Sequence, residues 1–149
     1  MSGDGQAILF GQNLDFAEGE FYTLQSVTRV PFAPGWATVV GQAYRLLRSA
    51  NAPNLAGTFI SFNYLGGQVP PGGEDWLRVY YLSPMTTTWR QLPATLDTYY
   101  NIASAPTQGE GLYMLMSSFE IPLYGPGWDL FAYPLQVTKT VTQALLSID

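Results

Sequence analysis

The sequence predicts an all-β protein, an antiparallel β-sandwich that ends in a short C-terminal helix. Three observations lead there. Runs of alternating apolar and polar residues recur along the chain, the spacing of half-buried strands. The 15 glycines and 11 prolines are spread between those runs rather than gathered into one low-complexity tract. One stretch, Gly19 to Trp36, returns as Gly109 to Trp128.

The repeat is "GEFYTLQSVTRVPFAPGW" against "GEGLYMLMSSFEIPLYGPGW", with single-residue gaps opposite Gly111 and Tyr124. The identities are Gly19/Gly109, Glu20/Glu110, Tyr22/Tyr113, Leu24/Leu115, Ser26/Ser117, Pro31/Pro122, Pro34/Pro126, Gly35/Gly127 and Trp36/Trp128. Val30/Ile121 and Phe32/Leu123 keep apolar character. The offset grows from 90 residues at Gly19/Gly109 to 92 at Trp36/Trp128, the size of an immunoglobulin-like sandwich module. Each copy reads as strand, turn and strand. Pro122 and Pro126 cannot donate to a ladder, so they end the strand of the second copy. Pro-Gly predicts a turn in which Pro presets φ and Gly takes φ > 0. The Trp that follows opens the next strand as an apolar anchor.

Between the copies, "WATVVGQAYRLL" predicts one long strand or two short ones, and "SANAPNLAG" a loop. "TFISFNYL" alternates, with Ile60, Phe62 and Tyr64 on one face and Phe59, Ser61 and Asn63 on the other. "GGQVPPGGED" is a turn-rich connection, and "WLRVYYL" with "TTTWRQL" predicts a hairpin about "SPM". "DTYYNIASA" predicts a further strand. In the second copy Tyr113, Leu115 and Ser117 alternate with Leu112, Met114 and Met116, so apolar residues fall on both faces and much of that strand should be buried. The period then holds about six or seven strands. In the tail, Val141, Leu145 and Ile148 mark one face of a short helix, with Thr140 as N-cap.

Composition closes off several functions. The formal net charge is −5, and the six basic residues Arg29, Arg45, Arg48, Arg78, Arg90 and Lys139 form no cluster, so neither nucleic acid nor an anionic membrane surface is an expected partner. No apolar run has bilayer length, so no membrane insertion is expected. "MSGDGQ" lacks the basic-plus-apolar pattern of a signal peptide and reads as an artificial start that leaves room for a removed export signal. With no Cys and no His, the chain has no thiol nucleophile, disulfide, His base, Ser-His-Asp triad or His- or Cys-ligated zinc or haem. No glycine-rich phosphate loop occurs. No cofactor, no metal and no catalytic residue is expected.

Two acidic groups, Asp15, Glu18 and Glu20 and then Glu74 and Asp75, leave a glycosidase pair or a calcium site open. Both groups sit in loop-like sequence without EF-hand spacing, which favours solvated loop acids, and the equivalence of Glu20 and Glu110 favours a structural role. Lys139 raises the question of an isopeptide cross-link, but between a strand and a helix it is expected to be exposed. The candidate ligand-binding residues are Trp76, Tyr80, Trp89, Tyr99 and Tyr100, whose flat rings suit the C–H face of a sugar. Against that role, aromatics in a sandwich commonly fill its core or cover its edge. The pairs Tyr80-Tyr81 and Tyr99-Tyr100 are each expected to send one ring inward and one outward.

The stretch "WRQLPATLDTYYNIASAPTQGEGLYMLMS" resembles β-sandwich modules of large secreted bacterial proteins, in which W-x-x-L-P leads to G-x-Y-x-L; here these are Trp89, Leu92 and Pro93, then Gly111, Tyr113 and Leu115. "GPGWDLFAYPLQ" resembles the P-G-W-N-L opening of such modules, with Asp129 in place of Asn. The resemblance covers about the last third of the chain. It implies an exported, multi-module bacterial protein with structural or adhesive roles, and it brings no catalytic residues. The expected organisation is N-terminal strands at 1–35, equivalent to the end of a preceding repeat; a central sandwich at 36–127; and the start of a following module at 128–149. The expected function is a non-catalytic spacer, stalk, assembly or adhesion unit at the cell surface or outside the cell, with neighbouring modules or a second copy as partner. A carbohydrate-binding module is the alternative, and an enzyme with two carboxylates a third.

Overall fold

The computed structural model describes residues 1–11, 18–52 and 55–118. The expected C-terminal helix, Lys139, Asp15 and the second "GPGW" lie outside the described residues. The strands are β1 (Ala7–Gly11), β2 (Tyr22–Val27), β3 (Ala37–Arg48), β4 (Thr58–Asn63), β5 (Leu77–Leu82), β6 (Arg90–Gln91), β7 (Thr95–Asp97), β8 (Ile102–Pro106) and β9 (Gly111–Ser118). Single 3₁₀ turns at Gly66–Gln68 and Glu74–Trp76 occupy the Gly-Pro-rich connection. The strands form two antiparallel sheets, a four-stranded one in the order β1-β4-β8-β7 and a five-stranded one in the order β2-β3-β9-β5-β6. The all-β prediction holds, and the arrangement is sandwich-like.

Alternation decides which side chains meet. From the four-stranded sheet, Ala7, Ile60, Phe62, Ala103 and Ala105 enter one buried cluster; from the other come Leu24, Val40, Tyr44, Leu46, Val79, Tyr81, Tyr113 and Leu115. The Tyr44 ring lies 5.8 Å from Phe62, and Tyr81 lies 4.9 Å from Tyr113. Each large apolar side chain buried here contributes roughly 1.5–3 kcal/mol relative to exposure. On the outer face of the five-stranded sheet a second cluster gathers Ala43, Tyr80, Leu82, Trp89, Leu112, Met114 and Met116. All eight residues of β9 are buried as a result, matching the two apolar faces of its sequence.

The repeated segment has a specific place in this arrangement. β2 and β9 carry the two copies, and they flank β3 on its two sides, both antiparallel to it. Leu24 stands opposite Leu46, and Leu115 opposite Val40. Leu24 and Leu115 both enter the inter-sheet core; Tyr113 does so too, and its counterpart Tyr22 packs against it half-buried. The extra residue of the second copy, Gly111, has φ +152°, and a Cβ there would stand 2.6 Å from Leu82 O and 2.6 Å from the Tyr81 ring. The second copy therefore lengthens at a point where no side chain fits.

One local expectation is resolved and others change. β3 is one long strand, but its pairing with β9 shifts between Val40 and Tyr44, where Gly41 takes φ +72° in a bulge. Across it four steps of β3 span two of β9, and Val40 and Tyr44, which share a face by alternation, both enter the core. The expected strand "DTYYNIASA" is instead a hairpin: β7 ends at Asp97 and β8 starts at Ile102. Asp97 Oδ1 accepts hydrogen bonds from Tyr99 N and Tyr100 N, 3.1 Å each, and Asn101 takes φ +55°. Asp and Asn offer the backbone that local alternative to a ladder, which outweighs the β propensity of two tyrosines. Finally, the Pro34-Gly35 turn closes from Ala37 N to Pro34 O at 3.4 Å, with the positive φ falling not on Gly35 but on Phe32, at +52°. Trp36 precedes β3 as expected, but it is 58% exposed, its ring tilted over Tyr80 at 5.8 Å, so it is no buried anchor.

Replacing Gly111 by Ala should lower the free energy of unfolding by about 2 kcal/mol, since backbone and ring must both give way. Urea denaturation followed by tryptophan fluorescence measures this, and a loss below about 0.5 kcal/mol would mean that the contact is slack.

Candidate functional site

The five candidate aromatics do not converge. Tyr80 is buried on the outer face of the five-stranded sheet, its hydroxyl 3.1 Å from Ser118 Oγ and 3.5 Å from Gln91 Oε1. Trp89 is buried in the same cluster and donates Nε1–H to Pro31 O at 3.2 Å. Neither ring has a free face. Trp76 is half-buried at the end of its 3₁₀ turn. Tyr80 and Tyr81 do point to opposite faces, whereas Tyr99 and Tyr100 are both exposed on the β7–β8 turn. Their centroids are 4.7 Å apart with ring planes at 88°, an edge-to-face pair rather than a flat platform.

The structure brings forward two rings absent from that set. Phe10 on β1 and Phe59 on β4 are cross-strand neighbours, stacked at 5.6 Å and 20°, and both stay exposed on the outer face of the four-stranded sheet. Pro106 on β8 stands opposite Phe59 and extends the apolar row. Beside it Ser104 Oγ donates to Ser61 Oγ at 3.0 Å. Asp97 is the one charged residue among the four strands of this sheet. Phe59 was visible in "TFISFNYL" as the apolar residue on the polar face. Its partnership with Phe10 was not, because that register joins strands about fifty residues apart in sequence.

A cleft of about 340 Å³ adjoins this row, bounded by Phe59, Pro106, Gln108, Arg48 and Glu110. Its wall is braced internally: the Thr58 and Thr107 hydroxyls are 2.6 Å apart, and both reach Leu55 O, at 2.6 Å and 3.2 Å. Glu110 Oε1 accepts from Arg48 N at 3.3 Å, and Glu110 Oε2 lies 3.6 Å from Arg48 Nε. Both side chains are about two-fifths exposed, so the ion pair positions the groups more than it stabilises the fold. Gln108 Oε1 accepts from Arg90 Nη2 at 2.7 Å. The cleft thus presents one aromatic ring, a cation, an acid and an amide, a polar lining with a single apolar wall.

The strongest electrostatic perturbations lie elsewhere and serve the fold. Asp4 accepts from Ser2 Oγ (2.6 Å), Gln6 N (3.1 Å) and Tyr44 Oη (2.8 Å). Partial burial works to raise its pKa, but these bonds together outweigh it and hold the carboxyl below its ordinary value. Tyr44 is pushed well up by burial and then by its bond to Asp4. Tyr64 is pushed up by burial and by donating to Glu74 Oε1 at 2.8 Å. Tyr113 is raised chiefly by burial; its hydroxyl donates to Gly109 O at 2.6 Å and accepts from Gln108 N at 2.8 Å. Glu74 is thereby tied to a buried phenol. Among the described residues no three acidic side chains gather in a metal-binding group.

No protein-family model, curated protein or solved structure matches this chain. The class is the one its own fold defines, an all-β module of two antiparallel sheets.

Three raised phenol pKa values have a measurable consequence. The native state favours neutral Tyr44, Tyr64 and Tyr113, so their contribution is complete below the ordinary tyrosine pKa of 10.0 and is lost as pH rises above it. Titration at 295 nm should show three tyrosines ionising only as the protein unfolds, with the urea midpoint falling steadily above that pH. Ionisation of every tyrosine at its ordinary pKa in the folded protein would contradict this.

Proposed function

We propose that the chain is a non-catalytic structural or adhesive module of the immunoglobulin-like sandwich type, part of a repetitive extracellular bacterial protein and working as spacer, stalk or assembly unit. The observation that carries this reading is the place of the repeated segment. The described part of each copy holds a strand beside β3, and each strand turns a Tyr and a Leu toward one core. What the chain repeats is thus a scaffold part rather than a site. The W-x-x-L-P motif agrees, since Trp89 packs into the outer cluster and Leu92 into the inner one. Tyr113, bonded back to Gly109 O four residues earlier, has the form of a tyrosine corner. The extracellular bacterial setting rests on the sequence resemblance around Trp89–Leu115.

Among the described strands the sheets end in β1 and β7 and in β2 and β6, and of these β1 and β2 come from the segment 1–35. Edge strands carry backbone groups that can pair with another chain. Beside β1 lies the exposed Phe10–Phe59 pair on a nearly uncharged sheet face, a surface suited to a neighbouring module. A second reading, carbohydrate binding, is favoured by the cleft beside Phe59 and by the exposed Tyr99 and Tyr100.

Sedimentation velocity over a range of concentrations tests the first reading. Self-association is expected, weakened about tenfold, or about 1.4 kcal/mol, by Phe10→Ser with Phe59→Ser. A chain that stays monomeric at every concentration counts against an assembly role. Binding of neutral oligosaccharides that Tyr99→Ala with Tyr100→Ala abolishes, without altering sedimentation, would favour the second reading.

A further inference from the structure

A second cleft, of about 440 Å³, lies on the outer face of the five-stranded sheet. Leu47, Leu82 and Leu112 form its floor. Pro31 and Phe32, from the β2–β3 connection, make one wall, and Ser83 to Thr86, from the β5–β6 connection, make the other. Both walls are held in place. Trp89 Nε1 binds Pro31 O at 3.2 Å, and Thr86 N donates to Ser83 O at 3.1 Å. The volume falls in the range of small-molecule sites and is too small for a folded partner.

Two features set this cleft apart from a surface dent. Phe32 sits at φ +52°, a conformation that a bulky side chain avoids, and the residue is left 60% exposed at the cleft wall. A strained residue whose ring packs only partly is poor use of a phenylalanine for stability alone. The second feature is charge. Arg45 and Glu110 are the two charged residues of the lining. Glu110 is paired with Arg48, whereas Arg45 is exposed and makes no ion pair with another described residue. An apolar floor thus ends at a cation that pairs with no other described residue, and its planar guanidinium matches a carboxylate in bidentate fashion.

We propose that this cleft binds an amphiphilic carboxylate, with its hydrocarbon chain laid on Leu47, Leu82 and Leu112 beside the Phe32 ring and its carboxylate on Arg45. The site is independent of the scaffold role and of any self-association. Titration calorimetry of the full chain with decanoate, with decyltrimethylammonium as the chain-matched cation, tests it. The expected result is saturable one-to-one binding of decanoate and none of the cation. Amide shifts should concentrate at 32, 45–47, 82–83, 85–86 and 110–112. Arg45→Gln should weaken decanoate about tenfold or more. Phe32→Gly should also weaken it while leaving thermal stability unchanged or higher, because glycine accepts the positive φ; a purely structural Phe32 would lose stability instead. The proposal is overturned if decanoate shows no saturable binding below the concentration at which it self-associates, if the cation binds as tightly, or if Arg45→Gln keeps the wild-type spectrum and the wild-type affinity.

Discussion

β9 lies between β3 and β5, and each of its eight residues is buried. A strand covered on both faces needs an apolar layer on each side, and the described fold supplies two. Tyr113 and Leu115 meet the four-stranded sheet across the inner core, while Leu112, Met114 and Met116 meet Tyr80, Leu82, Trp89 and Ala43 on the other side. The neighbours are shaped by this demand. β3 must pair with both repeated strands at once, and its pairing with β9 shifts register between Val40 and Tyr44, where Gly41 takes positive φ. At the start of β9, the close approach of Leu82 O and the Tyr81 ring admits only glycine.

Aromatic hydroxyls reconcile this apolar interior with its polar atoms. Tyr44, Tyr64 and Tyr113 bury their rings and end in hydrogen bonds to Asp4, Glu74 and the Gln108–Gly109 backbone. Among the described residues no buried side-chain polar atom lacks a partner. Two of the few carboxylates of this weakly charged chain are engaged with phenols, and a third, Glu110, which lines both clefts, holds Arg48. Polar chemistry near the interior therefore fixes geometry. The groups left to meet a partner are peripheral: the Phe10–Phe59 pair, the Tyr99–Tyr100 turn, and Arg45 with Phe32.

Legibility followed the range of the interactions. Period-2 alternation announced β4 and β9, the hairpin pattern about "SPM" announced β5, and the double apolar face of β9 announced its burial. The alternative that Asp97 and Asn101 offer the backbone was also local and was written in the sequence, yet two tyrosines beside them suggested a strand. The Pro-Gly turn misled in a different way. Dipeptide preference places positive φ on glycine, but the turn begins one position later and the strain settles on Phe32, where a loop pinned by Trp89 must reverse. Of the five candidate aromatics, burial left Tyr99 and Tyr100 as the exposed pair; composition cannot reveal this, because a ring in a core and a ring on a surface are the same residue.

The sequence by itself determined the all-β class and most strand positions, among them the strands β2 and β9 of the repeated segment, because each of these depends on residues adjacent or nearly adjacent in the chain. Tertiary structure alone decided that the strands β2 and β9 of the two copies flank one strand, that Phe10 meets Phe59, and that Arg45 ends an apolar floor. Those outcomes depend on strand order and register between distant segments. Both are set by the whole core at once, and a one-residue slip would turn every side chain to the opposite face.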